Sequence, residues 1–553
     1  MVKTKSKKKS KKGKKASEEP ALSRKEQAIL KRKQRAARQK LFGTIGVCLA
    51  IALCVGLPLS FILEPKTGVI IGAGIPAVIL SYQYPRMALW AFLIYMPFGG
   101  TVVYWVAGGN SLVQLAKDGL YLPALVAIAQ ECRKQKKRIF IPKELFPTFI
   151  LVLLCALMTL FLVNGLMQIS PDKNGIPFAQ GILGLKVLIG YVPLMFCAYY
   201  LIDSKKQLLW LTRLHTLLAI ICCVLCLMQY QMLRSGICPG TEGIGAEGDA
   251  LFKASLQAKC LVGGALTYSP SHGQIRLPGP FVSPWHWAWF LISNAALTFA
   301  TAFCDTAFLW RLGGMAGMGI VFICAVISGQ RIATLLVPVI ILVLLVLTGQ
   351  VANLKRFLPI AVGLGLALTI AAISNPELIQ ERIDSTVSRI EASPPQEFIE
   401  HQFGWAIKQQ RGYLGRGLGK ATNSTRVFGK AALVETFHPK LLYEMGWPGL
   451  SAFVIFTAHL SFITFFRYRS VKEKSLRGFG SCFWVFVLII SFFPYWYPLD
   501  TDPVCVYYWF FAGVIVKLPE IDKEEQKKLK AAQENELQFQ QKKKVPKVSR
   551  QVA

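Results

Sequence analysis

Arginine is well suited to hold a diphosphate, because its planar guanidinium donates two parallel hydrogen bonds to an oxyanion. Two arginines in this chain stand at the mouths of apolar runs. Arg276 lies in IRLPGPF, two residues before Pro278, and Arg331 opens the run SGQRIATLLV. Each has a plainer reading, Arg276 as a solvated loop residue and Arg331 as a snorkelling helix anchor. His438 in TFHPKLLYEMGWPGL is the third candidate. An imidazole titrates near neutral pH and can accept a proton or orient a hydroxyl. Its plainer reading is a helix-entry histidine solvated beside Pro439.

Three secondary candidates accompany these. Lys186, in GLKVLIGYVPLM, is a charge inside an apolar run, and such charges mark functional positions. His286 in SPWHWAWF reads first as a polar member of an interfacial tryptophan belt. Arg411 lies in WAIKQQRGYLGRGLGKA, whose GRGLG (415–419) is weak evidence for a nucleotide and reads better as a sharp turn allowing close backbone approach. His215 and His459 sit in apolar runs as packing residues. His272 and His401 are on outer loops without a motif. The histidines are few and lack metal-ligand spacing, so no metal site and no cofactor are expected. There is no GxxxxGK[ST] of an ATP-driven pump.

The elements that must position these residues are membrane helices. Hydrophobic residues make up 53% of the 553, with mean hydropathy +0.43, and apolar runs long enough to cross ~30 Å of hydrocarbon recur from 41 to 517. Fourteen spans are expected, near 41–63, 67–83, 87–107, 117–131, 146–164, 180–202, 208–228, 283–303, 312–328, 331–348, 356–373, 441–466, 478–493 and 503–517. The fold class is therefore all-α, a polytopic helical membrane protein of about 12–14 transmembrane helices with one large outward-facing loop between late helices.

The net charge of +33 is concentrated in the tails and short connections. Residues 1–40 carry 17 Lys/Arg against 3 Glu, and ECRKQKKRIFIPKE (131–144), DSKKQ (203–207), VANLKR (351–356) and FRYRSVKEKSLR (466–477) are also basic. The positive-inside rule places these segments and both termini in the cytoplasm, against anionic lipid rather than nucleic acid. The organisation is a basic, unstructured tail at 1–40; helices over 41–228; an outward loop at 229–282; helices over 283–373; a large outward loop at 374–440; helices over 441–517; and a basic tail at 518–553. Cys238 and Cys260 share the first outward loop and could form a disulfide in an oxidising compartment.

The order of these features resembles the O-antigen ligase and O-antigen polymerase superfamily of bacterial envelopes. RLPGPFVSPWHWAWF (276–290) looks like its arginine–glycine–proline helix entry, and SGQRIATLL (328–336) like its serine–arginine helix start. WAIKQQRGYLGRGLGKA (405–421) and FHPKLLYEMGWPGL (437–450) are similar to its tryptophan–glycine turn and its histidine-led motif. Pro439 stands where the family commonly has asparagine, and SPWHW replaces a more usual Asn-Pro-Asn-like segment.

The resemblance, over roughly 180–465, implies metal-independent glycosyl transfer at the outer face of the bacterial cytoplasmic membrane. A saccharide on undecaprenyl pyrophosphate would pass to an acceptor hydroxyl on a lipid or saccharide. Arg276 and Arg331 would hold the pyrophosphate and His438 would serve the acceptor. Two other classes stay open: a transporter of a small anion with the arginines as a vestibule, and an interaction scaffold acting through the basic tails.

Overall fold

The computed structural model describes residues 24–62, 65–108, 113, 116–137, 142–170, 175–238, 259–263, 267–269, 274–351, 393–496 and 499–544, with isolated positions between 352 and 392. It is an all-α polytopic membrane protein. Among the described residues ten helices are long and apolar enough to cross a membrane, and Ile71–Gln83 and Arg331–Leu347 are shorter apolar helices. The expected span at 356–373 lies outside the described residues apart from isolated positions.

Residues 1–80 and 81–553 form two compact units. In the first, α1 (Arg24–Ile62) and α2 (Pro65–Gln83) approach through small residues. A Cβ on Gly72 would lie 2.8 Å from the Gly56 Cα, and one on Gly68 would lie 2.4 Å from the Ser60 nitrogen. Small residues at such a crossing let helices pack where lipid supplies no hydrophobic drive. Helix α1 begins at Arg24, inside the segment expected to lack structure, because Ala, Lys, Arg and Gln there are strong helix formers.

The second unit continues with α3 (Pro85–Val106), α4 (Asp118–Lys134), α5 (Phe146–Ile169), α6 (Pro177–Leu201) and α7 (Lys205–Arg234). Then follow α8 (Pro284–Cys304), α9 (Phe308–Ile327), α10 (Arg331–Leu347), α11 (Pro395–Gln409), α12 (Phe437–Arg469), α13 (Lys474–Phe492) and α14 (Val504–Lys544). Helix α8 is the centre, buried along nearly its whole length and packed against α7, α9, α10, α13 and α14. Apolar side chains surround it, and its polar ones bond within the helix: Ser293 and Asn294 donate to the Phe290 carbonyl and Thr298 to the Asn294 carbonyl. Local satisfaction is what a buried, water-poor environment demands.

This burial corrects the aromatic-belt reading of SPWHWAWF. Trp287 and Trp289 are fully buried in the bundle, where a belt would face headgroups. In the C-terminal segment, read from the sequence only as a basic tail, α14 continues as helix to Lys544 through a run rich in Lys, Glu, Gln and Ala. Within the long loop the chain forms α11 and a 3-10 turn at Asn423–Phe428. Cys238 and Cys260 form a disulfide.

Polar contacts gather at two ends of this unit. One is a basic end, where Arg86 meets Asp203, Arg467 meets Glu144, Lys205 meets Glu473 and Ser475 bonds to the Cys304 carbonyl. The other is a loop end, formed by residues 98–108, 116–118, 175–191, 277–286, 328–331, 411–444, 493–496 and 499–505.

Candidate functional site

At the loop end, strands β1 (Thr267–Ser269) and β2 (Gln274–Arg276) pair antiparallel, and β2 ends on Arg276. The next residue, Leu277, donates its backbone N–H to the Ser328 carbonyl at 3.1 Å. Ser328 begins the SGQR turn, closed by Gly329 with φ +70°, a conformation glycine adopts without steric cost. Arg331 then opens α10. The two arginine-bearing segments are thus hydrogen-bonded neighbours, and the Nε of each arginine is buried. Among the described residues the buried Gln330 amide nitrogen beside them has no hydrogen-bond partner, and neither do Thr436 Oγ1 and Asp500 Oδ1 elsewhere at this end. Buried polar atoms are rarely left so, and they offer capacity for a polar ligand.

His438 is the second residue of α12 and faces the Ser491 backbone. If one ring N–H donates to that carbonyl, the other nitrogen keeps its lone pair. The preceding Phe437 N–H bonds to the Trp496 carbonyl at 3.2 Å, and the Trp496 ring lies 4.0 Å from that of Trp285. Trp285 is in the first turn of α8, nine residues beyond Arg276. The histidine is therefore tied to the arginine segment through the 493–496 turn and the start of α8.

The GRGLG run is a docking element for the protein's own helices. The N–H groups of Arg416 and Gly417 donate to the Tyr443 and Glu444 carbonyls. The buried Glu444 carboxylate accepts from the Ala421 N–H at 2.7 Å and the Thr422 hydroxyl at 3.0 Å. From the other side Asn164, within a π-helical segment of α5, bonds to both the N–H and the carbonyl of Leu418, and Gln180 donates to the Gly419 carbonyl. Gly446 interrupts α12 at φ +68°, where a Cβ would lie 1.9 Å from the Tyr413 carbonyl oxygen. The glutamate and glycine after His438 therefore fasten this loop. Arg411 is exposed in the bend that follows α11.

Lys186 and His286 belong to a separate group of charges. Lys186 pairs with Asp118 at 2.8 Å, and the Tyr191 hydroxyl donates to the same carboxylate. Next to it Lys117 contacts Asp502, and these two line a small cavity with His286, whose Nδ1 is hydrogen-bonded to the Ser283 hydroxyl. Burial, and then the neighbouring Lys186, bring the Lys117 ammonium down to about 8, with Cys505 and Asp118 opposing. A third pair, Lys440 with Asp500 at 2.8 Å, is almost fully enclosed. Lys117, Asp118, Lys440, Asp500 and Asp502 were absent from the sequence candidates. Their signal was available, as charges set at the ends of apolar runs in QLAKDGLYL, FHPKLLYEM and YPLDTDPV.

His215 and His459 are packing residues. The first stacks edge-on with Tyr507 and its Nδ1 meets the Leu211 carbonyl; the second meets the Thr148 hydroxyl. Comparison of the whole sequence with protein-family models and with curated proteins finds no match.

Proposed function

We propose that this protein is a glycosyltransferase of the membrane, moving a saccharide from a polyprenyl pyrophosphate carrier to an acceptor hydroxyl at its loop end. The observation that carries the reading is the Leu277–Ser328 hydrogen bond, which makes neighbours of the segments bearing Arg276 and Arg331. In the reaction the acceptor oxygen bonds to the anomeric carbon as the bond from that carbon to the phosphate oxygen breaks. The diphosphate leaves with the electron pair, and the two guanidinium groups hold its charge. The acceptor proton passes to the free ring nitrogen of His438. In this reading the basic end faces the cytoplasm, the loop end faces outward, and the Cys238–Cys260 disulfide suits an oxidising exterior. The transfer class includes both ligases and polymerases of cell-surface polysaccharide.

Arg276→Ala and Arg331→Ala, assayed with lipid-linked donor in proteoliposomes, should each lower turnover by about 10²- to 10³-fold. His438→Ala should lower it by about 10²-fold or more. Full transfer by all three variants would refute the site. Uptake of a labelled anion into the same proteoliposomes, with no glycan product, would favour the transporter instead.

A further inference from the structure

A cavity of about 570 Å³ opens at the basic end, between the α8–α9 turn, the C-terminal end of α10 and the α12–α13 turn. Its lining divides by polarity. Phe303 and Leu347 are apolar, whereas Arg469, Lys474 and Arg477 bring three cations. Three other cations at this end are matched by carboxylates: Arg213 grips both oxygens of Asp305, Lys205 holds Glu473, and Arg467 holds Glu144. The two oxygens of Asp522 accept the backbone N–H groups of Lys472 and Glu473. Among the described residues no carboxylate forms an ion pair with Arg469, Lys474 or Arg477. The one carboxylate among the lining residues, Asp305, is held by Arg213, so the three cations share the cleft without a paired counter-charge among the described residues.

We infer that this cleft seats the phosphate of an anionic phospholipid headgroup, with the acyl chains running along α10. Guanidinium and ammonium groups make charge-assisted hydrogen bonds to phosphate oxygens. The cleft lies where α8, α10 and α12 end and α13 begins, the depth at which headgroups meet water. Beside it α10 presents the exposed apolar side chains Leu335, Leu342 and Val346, a surface suited to hydrocarbon. A soluble phosphate compound would use the cations and leave that wall without a role. The assignment is independent of the chemistry proposed for the loop end.

The test is native mass spectrometry of the purified full-length protein, titrated with phosphatidylglycerol or phosphatidylcholine. The site predicts at least tenfold tighter binding of phosphatidylglycerol, and equal binding overturns it. Arg469→Gln with Lys474→Gln, both at exposed positions, should weaken phosphatidylglycerol by about fivefold per cation removed. An unchanged affinity overturns the site. Lys527→Gln with Lys530→Gln removes the same charge from the exposed part of α14 and should leave affinity intact. An equal loss there means diffuse attraction and overturns the cleft. Arg477→Lys retains the charge and should bind within threefold of the parent, which separates loss of a cation from loss of fold. Competition by glycerol 3-phosphate as effective as that by the lipid would assign the cleft to a soluble phosphate and overturn the lipid.

Discussion

The two ends of the helix bundle use the same residue types in opposite ways. At the basic end, Arg86 and Asp203 are 56% and 44% exposed, and Arg467 and Glu144 are similarly open. At the loop end, Lys440 and Asp500 are 3% and 6% exposed, and Lys117 is nearly as enclosed. An exposed pair contributes about 0–1 kcal/mol, because water already solvates both ions. A buried pair has lost that solvation, so each ion depends on its partner. The open pairs of the basic end therefore place the helices relative to water, while Arg213–Asp305 there is enclosed on the aspartate side; charge at the loop end organises polar segments around α8.

The sharpest way to break this contrast is to remove one buried partner. Lys440→Met leaves the Asp500 carboxylate enclosed without its cation and should cost about 3–5 kcal/mol. A large fall in melting temperature and in yield of folded, detergent-solubilised protein would report it. Adding Asp500→Leu should recover most of the loss. Next in size, Cys238→Ser opens a 22-residue separation and should cost about 3 kcal/mol, read as a lower melting temperature that reductant does not lower further. At the basic end, Arg86→Ala should change stability by less than about 1 kcal/mol. An effect there equal to that of Lys440→Met would erase the distinction between the ends.

A separate test of the buried charges concerns pH. Lys117 falls to about 8 in the folded chain against an ordinary 10.5. Between these values the unfolded chain holds more protons, so this residue adds stability as pH rises from about 8 and adds no more beyond about 10.5. Lys117→Met should flatten that part of a plot of melting temperature against pH. A profile identical to the parent's would show that Lys117 does not titrate in this window.

Membrane architecture was legible because apolar length and basic flanks are local properties. Thirteen of the expected spans overlap helices in the described residues, and Arg331 does open a helix after a glycine turn. The close backbone approach read into GRGLG was legible for the same reason, since glycine at that density has few other uses. What it approaches was hidden. Asn164 and Gln180 are single polar residues in apolar runs, and their partners at Leu418 and Gly419 lie 254 and 239 positions away. No local pattern encodes such a pairing. The tryptophans of SPWHWAWF misled because an interfacial belt and a buried helix entry share one composition. Which faces lipid depends on neighbours that the segment does not contain.

Helix α14 carries a consequence of length. At 1.5 Å per residue its 41 residues extend for roughly 60 Å, about twice the hydrocarbon thickness of a bilayer. Asp522 clamps it to the α12–α13 turn, and from Lys523 to Gln540 the described side chains are largely exposed. The remainder is a boom, fixed at one end and reaching roughly 30 Å from its clamp. A fluorophore or binding module attached near Lys544 would be held at that stand-off, so the fold supplies a built-in spacer for distance measurements against the basic end.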